Sequence, residues 1–283
     1  MELARRLPGP RLEIVSADAM QVYRGMDLGT AKPSAVDQAE VPHHLIDVVD
    51  PHEDFSVARF QAEARQALAD IEARGARALV VGGTGLYVRA LVDGLELAGQ
   101  WPAIRAELEG ETDTAVLHHR LHHLDPVAAE RMTTSNRRRV LRALEVTLGS
   151  GRPFSSFGPG LTAHPVTPYR MAGVWLPRPV VGRRIGQRFH SMLQAGLVDE
   201  VRRLAARPDG LSRTARQALG YGEVLDHLAG RCSLEEAADE AVRRTRAFAR
   251  RQRVWFRRDP RITWYGAAED PGALLPALLG DWA

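Results

Sequence analysis

The sequence has little cysteine and no long apolar run, and each shortage excludes a class of protein. Its one cysteine, Cys232, excludes an internal disulfide and a zinc site built from several cysteines, and it fits a reducing compartment. No run approaches the ~18 apolar residues of a membrane-spanning helix, and the first residues lack the apolar stretch of a signal peptide. We therefore expect a cytoplasmic protein without membrane contact.

The sequence also has little net charge. Lysine and arginine number 38 against 35 aspartate and glutamate residues, an excess too small to indicate a polyanionic partner by itself. The chain of 283 residues is 45% hydrophobic, which is enough for one large core. We expect one large domain, or a domain that carries an insertion.

Short apolar runs alternate with segments of helical periodicity, a pattern typical of a parallel sheet covered by helices. A helix is expected over Val57–Ala73, because its apolar residues have helical spacing and Ser56 is a suitable cap. The sequence therefore predicts an α/β fold with strands at Leu12–Ser16, Leu45–Val49, Ala78–Val81 and Met171–Leu176.

After Gly94 the sequence changes to short, polar, helical segments, and proline and glycine cluster from Gly149 to Pro168. We interpret residues 97–172 as a mostly helical insertion, and residues 1–96 with 173–283 as the core. In the second half of the core we predict three long helices, the last with Ser233 and Glu236 in capping-box spacing. They cover Arg183–Ala206, Thr214–Ala229 and Leu234–Arg258.

A first candidate for chemistry is Asp18, which follows the strand Leu12–Ser16. A carboxylate at the carboxyl end of a strand lies where open α/β sheets bind ligands. Asp18 could there act as a general base or bind magnesium. The alternative is that it only caps a turn or the next helix.

Four histidines form two pairs at helical spacing, His118 with His122 and His119 with His123. Each pair would lie on one face of a helix, as metal ligands can. No cysteine accompanies them, nor a glutamate in HExxH spacing, which favours surface or RNA-proximal side chains over a metal site.

Arginines are concentrated in the last predicted helix. Those at 243, 246, 250, 253 and 257 form one stripe, and no aspartate or glutamate occurs from Arg243 to Arg258. With Phe248, Trp255 and Phe256 interleaved, the stripe suits phosphate contacts and stacking on unpaired bases. The alternative is a solvated face that other segments neutralise.

Several motifs in a fixed order resemble the tRNA dimethylallyltransferases, also called tRNA isopentenyltransferases. The first half contains SADAMQVYRGMDLGTAKP, PHHLIDVVDP and GGTGLYVRAL. The second half contains RRVLR at Arg138–Arg142, RIGQRF at Arg184–Phe189, QALGY at Gln217–Tyr221 and RRQRVWFR at Arg250–Arg257. The resemblance covers most of the chain and implies a P-loop NTPase-like parallel sheet flanked by helices, with a helical insertion that binds tRNA.

The resemblance also implies roles for individual residues. Asp18 is expected to take a proton from the exocyclic amine of an adenosine, and Thr84 to assist at the diphosphate and at the attacking base. Arg184 and Arg188 are weaker candidates for binding diphosphate, and a solvated helix face is the alternative for both. The expected tRNA contacts are Asp18, Ala19, Met20, Gln21, Thr84, Arg105, Arg138, Arg139, Arg142, Arg216, Gly220, Tyr221, Arg250, Arg251, Gln252, Arg253, Trp255 and Arg257.

The implied reaction transfers a dimethylallyl group from dimethylallyl diphosphate to the adenosine 3′ to the anticodon. Its expected cofactor is Mg²⁺, with metal ligands that the sequence does not identify, and its partner is the tRNA anticodon stem-loop. We expect a monomer.

The sequence departs from the family at its start, because nothing matches the nucleotide-binding GPTxSGKS loop. Without that loop and its strand, we expect unpaired strand groups beside Leu12–Ser16 and low stability. Three alternatives to the tRNA transferase remain. They are a non-catalytic RNA-binding remnant, an adenylate prenyltransferase acting on free nucleotide, and a small-molecule P-loop kinase. The ordered motifs do not suit the kinase.

Overall fold

The computed structural model describes residues 1–158 and 160–282. They form two compact units, a larger one made of Met1–Val92 with the chain from Thr167 onward, and a smaller one, Asp93–Val166. The smaller unit thus begins and ends a few residues before the predicted insertion of 97–172. No helix in the described part of the chain is long and apolar enough to cross a membrane.

The first half of the larger unit alternates strands and helices. Its elements are α1 (Glu2–Arg6), β1 (Leu12–Ser16), α2 (Ala35–Glu40), β2 (His43–His44), α3 (Val57–Ala73), β3 (Arg77–Val81) and α4 (Gly85–Val92). Helix α3 begins as expected, with the Ser56 side chain accepting a hydrogen bond from the Arg59 amide. These elements confirm the predicted α/β pattern.

The smaller unit is helical. Its elements are α5 (Pro102–Glu109), α6 (Thr114–Leu124), α7 (Pro126–Glu130), α8 (Arg137–Ser150) and a 3₁₀ turn at Phe154–Ser156. Leu108, Leu117, Leu121 and Leu144 contribute to a core of its own. The buried Asp125 caps α7 by accepting a hydrogen bond from the Ala128 amide. It accepts a second hydrogen bond from the amide of Ser155 in the 3₁₀ turn.

The second half of the larger unit is mostly helical. Its elements are β4 (Met171–Trp175), α9 (Arg178–Gln194), α10 (Leu197–Ala205), α11 (Arg213–Arg216), α12 (Tyr221–Leu228), α13 (Leu234–Phe256), β5 (Ile262–Gly266), a 3₁₀ turn at Pro271–Leu274 and α14 (Leu275–Trp282). Strand β5 was not predicted. Ser233 and Glu236 form the expected capping box at the start of α13.

Two predicted long helices are each divided at a glycine. The helix predicted over Arg183–Ala206 is broken at Gly196, where φ is 101°, and the one over Thr214–Ala229 at Gly220, where φ is 93°. Glycine adopts this left-handed backbone at little cost, so it ends one helix and lets the chain turn into the next. The helical spacing of apolar residues continues across both glycines, so the sequence predicted one helix where there are two.

The strand predicted over Leu45–Val49 is wrong. Strand β2 is only His43–His44, and Leu45 and Asp47 then adopt positive φ angles of 63° and 56°. An extended ladder cannot continue through left-handed residues. The segment is instead an irregular turn in which Leu45 and Val49 are buried, and Val49 makes a single bridge to Tyr23.

Strand β1 lies at the centre of a parallel sheet of order β2–β1–β3, and all five of its residues are buried. Ile14 pairs with His43 of β2, and Ser16 pairs with Val81 of β3. The expectation of unpaired groups beside Leu12–Ser16 is therefore wrong, because β1 has a neighbour on each side. A second parallel pair, β4–β5, completes the described sheets.

Strands β3 and β4 each have an unpaired edge among the described residues, as do the outer strands β2 and β5. A cavity of about 900 Å³ is lined by every residue of both strands. Val81 of β3 is 48% exposed and Val174 of β4 is 52% exposed. Parallel strands are ordinarily covered on both faces, so these two strands leave an open, largely apolar slot in the larger unit.

Candidate active site and nucleic-acid interface

Asp18 and Thr84 lie together at the carboxyl ends of the neighbouring strands β1 and β3. The Thr84 hydroxyl accepts a hydrogen bond from the Ala19 amide at 3.0 Å, and the Thr84 amide donates to the Ala17 carbonyl at 3.3 Å. Parallel pairing brings the two strand ends to one edge of the sheet. Residues 66 positions apart in the sequence thereby share one candidate site.

The Asp18 carboxylate is partly exposed, and its two oxygens differ in their hydrogen bonding. Its Oδ1 accepts hydrogen bonds from the amides of Met20 at 2.8 Å and Gln21 at 3.4 Å. Its Oδ2 has no hydrogen-bond partner in the described part of the chain. Asp18 therefore does cap the turn, as the alternative interpretation expected, but only through Oδ1. Its Oδ2 is left free to accept a proton.

Tyr87 lies behind this site. It is buried and stacks on Phe60 with ring centroids 4.2 Å apart. Burial raises the pKa of its hydroxyl far above the usual range, and the charges of Tyr23 and Asp18 add to the effect. The Tyr87 hydroxyl consequently stays protonated and uncharged at any physiological pH.

The glycine turn after β3 is packed directly against α13. Gln252 donates from Nε2 to the Gly83 carbonyl at 2.9 Å, and a Cβ on Gly83 would lie 2.2 Å from that nitrogen. A Cβ on Gly85 would lie 2.2 Å from Nε1 of Trp255. The glycines thus allow the arginine-bearing helix to approach the turn that carries Thr84.

Several arginines of α13 already have partners within the larger unit. Arg243 is paired with Glu240 at 2.5 Å, Arg244 with Glu223 of α12, and Arg246 donates to a carbonyl of α9. The expectation of a stripe without counter-charge is therefore wrong for its first part. Glu240 lies one turn before Arg243 in the same helix, just outside the acid-free stretch from Arg243 to Arg258.

The remaining arginines of α13, together with Arg257 and Arg258 directly after its last residue, form an exposed positive surface, called the α13 surface below. Arg250, Arg251, Arg257 and Arg258 are exposed and make no ion pair or hydrogen bond in the described chain; Arg251 lies 5.7 Å from the centre of the Phe248 ring. Arg253 differs, since it lies against the Trp175 ring at 4.9 Å. Burial lowers the Arg253 pKa, and the charges of Arg257 and Arg178 lower it further. This face presents concentrated positive charge beside the glycine turn.

The two diphosphate candidates, Arg184 and Arg188, lie one turn apart on α9. Both are exposed, and neither forms an ion pair or hydrogen bond with another described residue. Their neighbour Arg183 is instead paired with Glu269 at 2.7 Å. Arg184 and Arg188 are thus available to an anion, and no contact joins them to Asp18 or Thr84.

Three expected tRNA contacts lie in or directly before the QALGY segment, and they differ in exposure. Arg216 is exposed, whereas Gly220 and Tyr221 are buried, and the Tyr221 hydroxyl donates to Glu200 at 2.6 Å. Burial and this hydrogen bond raise the pKa of Tyr221. Tyr221 has 0% of its surface exposed and packs against Glu200 and the backbone at Gly29.

Arginines of the smaller unit divide into structural and exposed residues. Arg142 donates to Glu145 at 2.8 Å and to two backbone carbonyls, and Arg105 is paired with Glu109 at 2.8 Å. Both stabilise the unit internally. Arg138 and Arg139, in the first turn of α8, are exposed and without an ion pair or side-chain hydrogen bond to the described residues.

No described part of the structure forms a metal-binding cluster of three or more histidine, cysteine, aspartate or glutamate side chains. His118 contacts the carbonyls of Ala129 and Met132, and His119 contacts His123 at 3.3 Å. Around Asp18 there is one carboxylate and the Thr84 hydroxyl. These ligands do not fit a self-contained Mg²⁺ site, which requires several oxygen ligands.

Sequence reasoning missed Glu200 and Lys32, two charged residues whose side chains are buried and support the segment beside Asp18. The side chain of Lys32 is 3% exposed and bridges Asp27 and Asp47 at 2.6 Å each. Glu200 is also 3% exposed. The available signal was a glutamate on the apolar face of α10, since charged residues are rarely buried without specific partners.

A parallel sheet flanked by helices, with polar side chains at adjacent strand ends beside an arginine-rich helix, defines an α/β protein with a site for an anionic ligand. The family model described as IPP transferase matches residues 21–259. The chain belongs to this family.

Curated relatives and solved structures agree with this assignment. A tRNA dimethylallyltransferase of Kineococcus radiotolerans is 48% identical over 282 residues, covering 98% of this chain and 88% of the relative. A full-length tRNA isopentenylpyrophosphate transferase of Bacillus halodurans is 38% identical with a TM-score of 0.70, covering 99% and 89%. A eukaryotic dimethylallyltransferase acting on tRNA is 25% identical with a TM-score of 0.76, covering 94% and 69%.

Proposed function

We propose that this protein transfers a dimethylallyl group from dimethylallyl diphosphate to the exocyclic amine of the adenosine 3′ to the anticodon in tRNA. The observation that carries the proposal is the free Oδ2 of Asp18, held beside Thr84 at the strand ends. The relatives named tRNA dimethylallyltransferase support the substrate. A monomeric, cytoplasmic enzyme is part of the same proposal.

The chemistry requires one proton acceptor and stabilisation of one leaving group. Asp18 Oδ2 accepts a proton from the adenine amine as the nitrogen bonds to the allylic carbon. The carbon–oxygen bond to diphosphate breaks, and diphosphate leaves with that electron pair. Guanidinium groups suit the developing phosphate charge, and Arg184 and Arg188 are the residues that we propose for it.

Magnesium enters this proposal only as an ion carried by the diphosphate. The protein near Asp18 supplies too few oxygen ligands for a dedicated site, and Mg²⁺ commonly binds through substrate phosphates and water. No step above depends on a protein-bound metal.

The RNA is proposed to lie along the α13 surface, with the stem bound separately by Arg138 and Arg139 of the smaller unit. An adenine stacked in a loop is not accessible to a carboxylate at a strand end. The base must therefore leave its stack to reach Asp18.

The decisive experiment measures transfer of labelled dimethylallyl groups to an anticodon stem-loop. The Asp18→Asn variant should slow transfer by about 100-fold or more, the scale of a lost general base. Asp209→Asn removes an exposed carboxylate without a partner in the described chain and serves as the control. Equal rates for wild type and Asp18→Asn would contradict the proposal.

The same assay separates the rivals. Transfer to free AMP but not to the stem-loop would indicate an adenylate prenyltransferase. RNA binding with no transfer to either acceptor would indicate a binding remnant. The α13 surface favours the tRNA substrate, because a free nucleotide needs no extended basic surface.

A further inference from the structure

A buried carboxylate outside the candidate site holds the segment beside it. Glu200 of α10 accepts hydrogen bonds from three successive amides, those of Asp27 at 3.2 Å, Leu28 at 2.8 Å and Gly29 at 3.4 Å. The Tyr221 hydroxyl is its fourth donor, at 2.6 Å. No described lysine or arginine pairs with Glu200, so its burial depends on these hydrogen bonds.

The packing around Glu200 fixes where this segment can lie. A Cβ on Gly29 would be 2.3 Å from the Tyr221 ring, so the backbone at 29 lies directly against that ring. Lys32 donates to Asp27 at 2.6 Å and to the Tyr23 carbonyl at 2.9 Å. The segment that begins at Asp27 is therefore held by the buried carboxylate of Glu200 and by the ammonium of Lys32.

This segment in turn holds the turn that contains Asp18. The carbonyls of Thr30 and Ala31 accept hydrogen bonds from Gln21 Nε2 at 3.3 and 3.4 Å, and Ser16 Oγ donates to Gln21 Oε1 at 2.9 Å. The backbone amide of Gln21 donates to Asp18 Oδ1. Hydrogen bonds and the covalent chain between them thus connect Glu200, through residues 27–31 and Gln21, to the carboxylate proposed as the base.

We propose that Glu200 is a positioning residue for the transfer reaction: it holds residues 27–29 so that Gln21 and Asp18 keep their reactive arrangement. The inference rests on the proposed function. It assigns a role in the reaction to a buried residue that we do not place in contact with either substrate. Catalysis is sensitive to such placement, since a displacement of about 1 Å can cost about 100-fold in rate.

The test compares three single variants of the full chain. Glu200→Gln keeps the shape but turns an amide NH₂ toward backbone donors, so at least one hydrogen bond is lost. Tyr221→Phe removes only the hydroxyl donor. Asp199→Asn changes the adjacent carboxylate of α10, which is exposed and paired with Arg202, and is the matched control. All are assayed below the melting temperature of each variant.

We expect kcat to fall about tenfold or more in Glu200→Gln, to fall less in Tyr221→Phe, and to stay unchanged in Asp199→Asn. KM for the stem-loop should change little, because the exposed arginines that bind RNA are intact. Hydrogen exchange at the amides of residues 27–29 should quicken in Glu200→Gln. A purely structural role would instead lower the melting temperature and leave kcat unchanged.

Each outcome decides a separate point. Wild-type kcat in folded Glu200→Gln overturns the positioning role, and unchanged exchange at 27–29 overturns the anchoring on which it depends. A wild-type protein that transfers nothing refutes the proposed function and, with it, a role for Glu200 in the reaction. The exchange measurement distinguishes these cases, because it needs no activity.

Discussion

Gln252 of the arginine-bearing helix donates its side-chain amide to the carbonyl of Gly83, at 2.9 Å, in the turn that carries Thr84. This single hydrogen bond joins the proposed RNA-binding surface to the proposed catalytic edge of the sheet. Loss of either partner should therefore affect both chemistry and stability.

Replacing Gln252 by alanine should lower the free energy of unfolding by about 1 kcal/mol, the usual net value of one hydrogen bond. Transfer should slow more than this loss of stability explains, because the Thr84 turn is released. Denaturant unfolding and single-turnover rates measure the two effects. Gln187→Ala, an exposed change on α9, is the control. A Gln252→Ala variant equal to that control would refute the coupling.

Gly82 and Gly280 provide a matched pair of glycine-to-alanine changes. A Cβ on Gly82 would lie 2.3 Å from the Ala17 carbonyl oxygen, whereas a Cβ on Gly280 meets nothing within 4 Å. Backbone cannot give way as a flexible side chain can, so Gly82→Ala should destabilise the protein by about 1–3 kcal/mol. Gly280→Ala should be neutral or stabilising, because alanine favours a helix. Thermal unfolding of both variants checks the difference.

Partnered and unpartnered arginines of α13 and of the residues directly after it should differ in their effect on RNA binding. Removing Arg250 or Arg257 should weaken binding to the stem-loop and reduce the log–log salt slope by about 0.7–0.9 for each phosphate that the variant no longer neutralises. Arg243→Ala should have little effect, because Arg243 is paired with Glu240. Binding titrations at several salt concentrations measure the slopes. An Arg243→Ala slope as shallow as the others would show that pairing does not decide which arginines bind phosphate.

Acid should destabilise the protein partly through Glu13 of β1. The Arg74 guanidinium holds the pKa of this carboxyl below its ordinary value of 4.5, and His44 at 2.7 Å adds to the effect. A depressed folded pKa contributes stability that is present above the unfolded value and is lost as pH falls through the folded pKa. Unfolding measured below pH 4.5 should lose less stability in Glu13→Gln than in wild type. Glu72→Gln, at an exposed position, should follow wild type.

The open slot between β3 and β4 should promote self-association. Unpaired strand edges with exposed apolar side chains pair with other chains, and a charge on the strand opposes this. Val174→Lys, at a position 52% exposed, should reduce aggregation measured by light scattering on heating. Val36→Lys, at a position 77% exposed on α2, adds the same charge away from the slot. Equal protection by both would attribute the effect to net charge alone.

The candidate site was predictable where a motif and a strand end coincide. Asp18 and Thr84 follow short apolar strands, and parallel pairing brings such ends together whatever else the fold does. Tyr221 and Arg142 were harder, because an aromatic or an arginine in a motif looks the same whether it faces RNA or a buried carboxylate. The one local signal at Glu200 was its place on the apolar face of α10, and it did not identify the partners, three of which are backbone amides more than 170 positions away.

The sequence alone determined the alternation of strands and helices, the family and the candidate base, because these depend on local periodicity and on short ordered motifs. Only the tertiary structure decided which strands have open edges, where long helices break at glycine, and which arginines are neutralised. Those outcomes depend on contacts between residues distant in sequence, and hydrogen bonds and ion pairs of that kind leave no periodic trace in the chain.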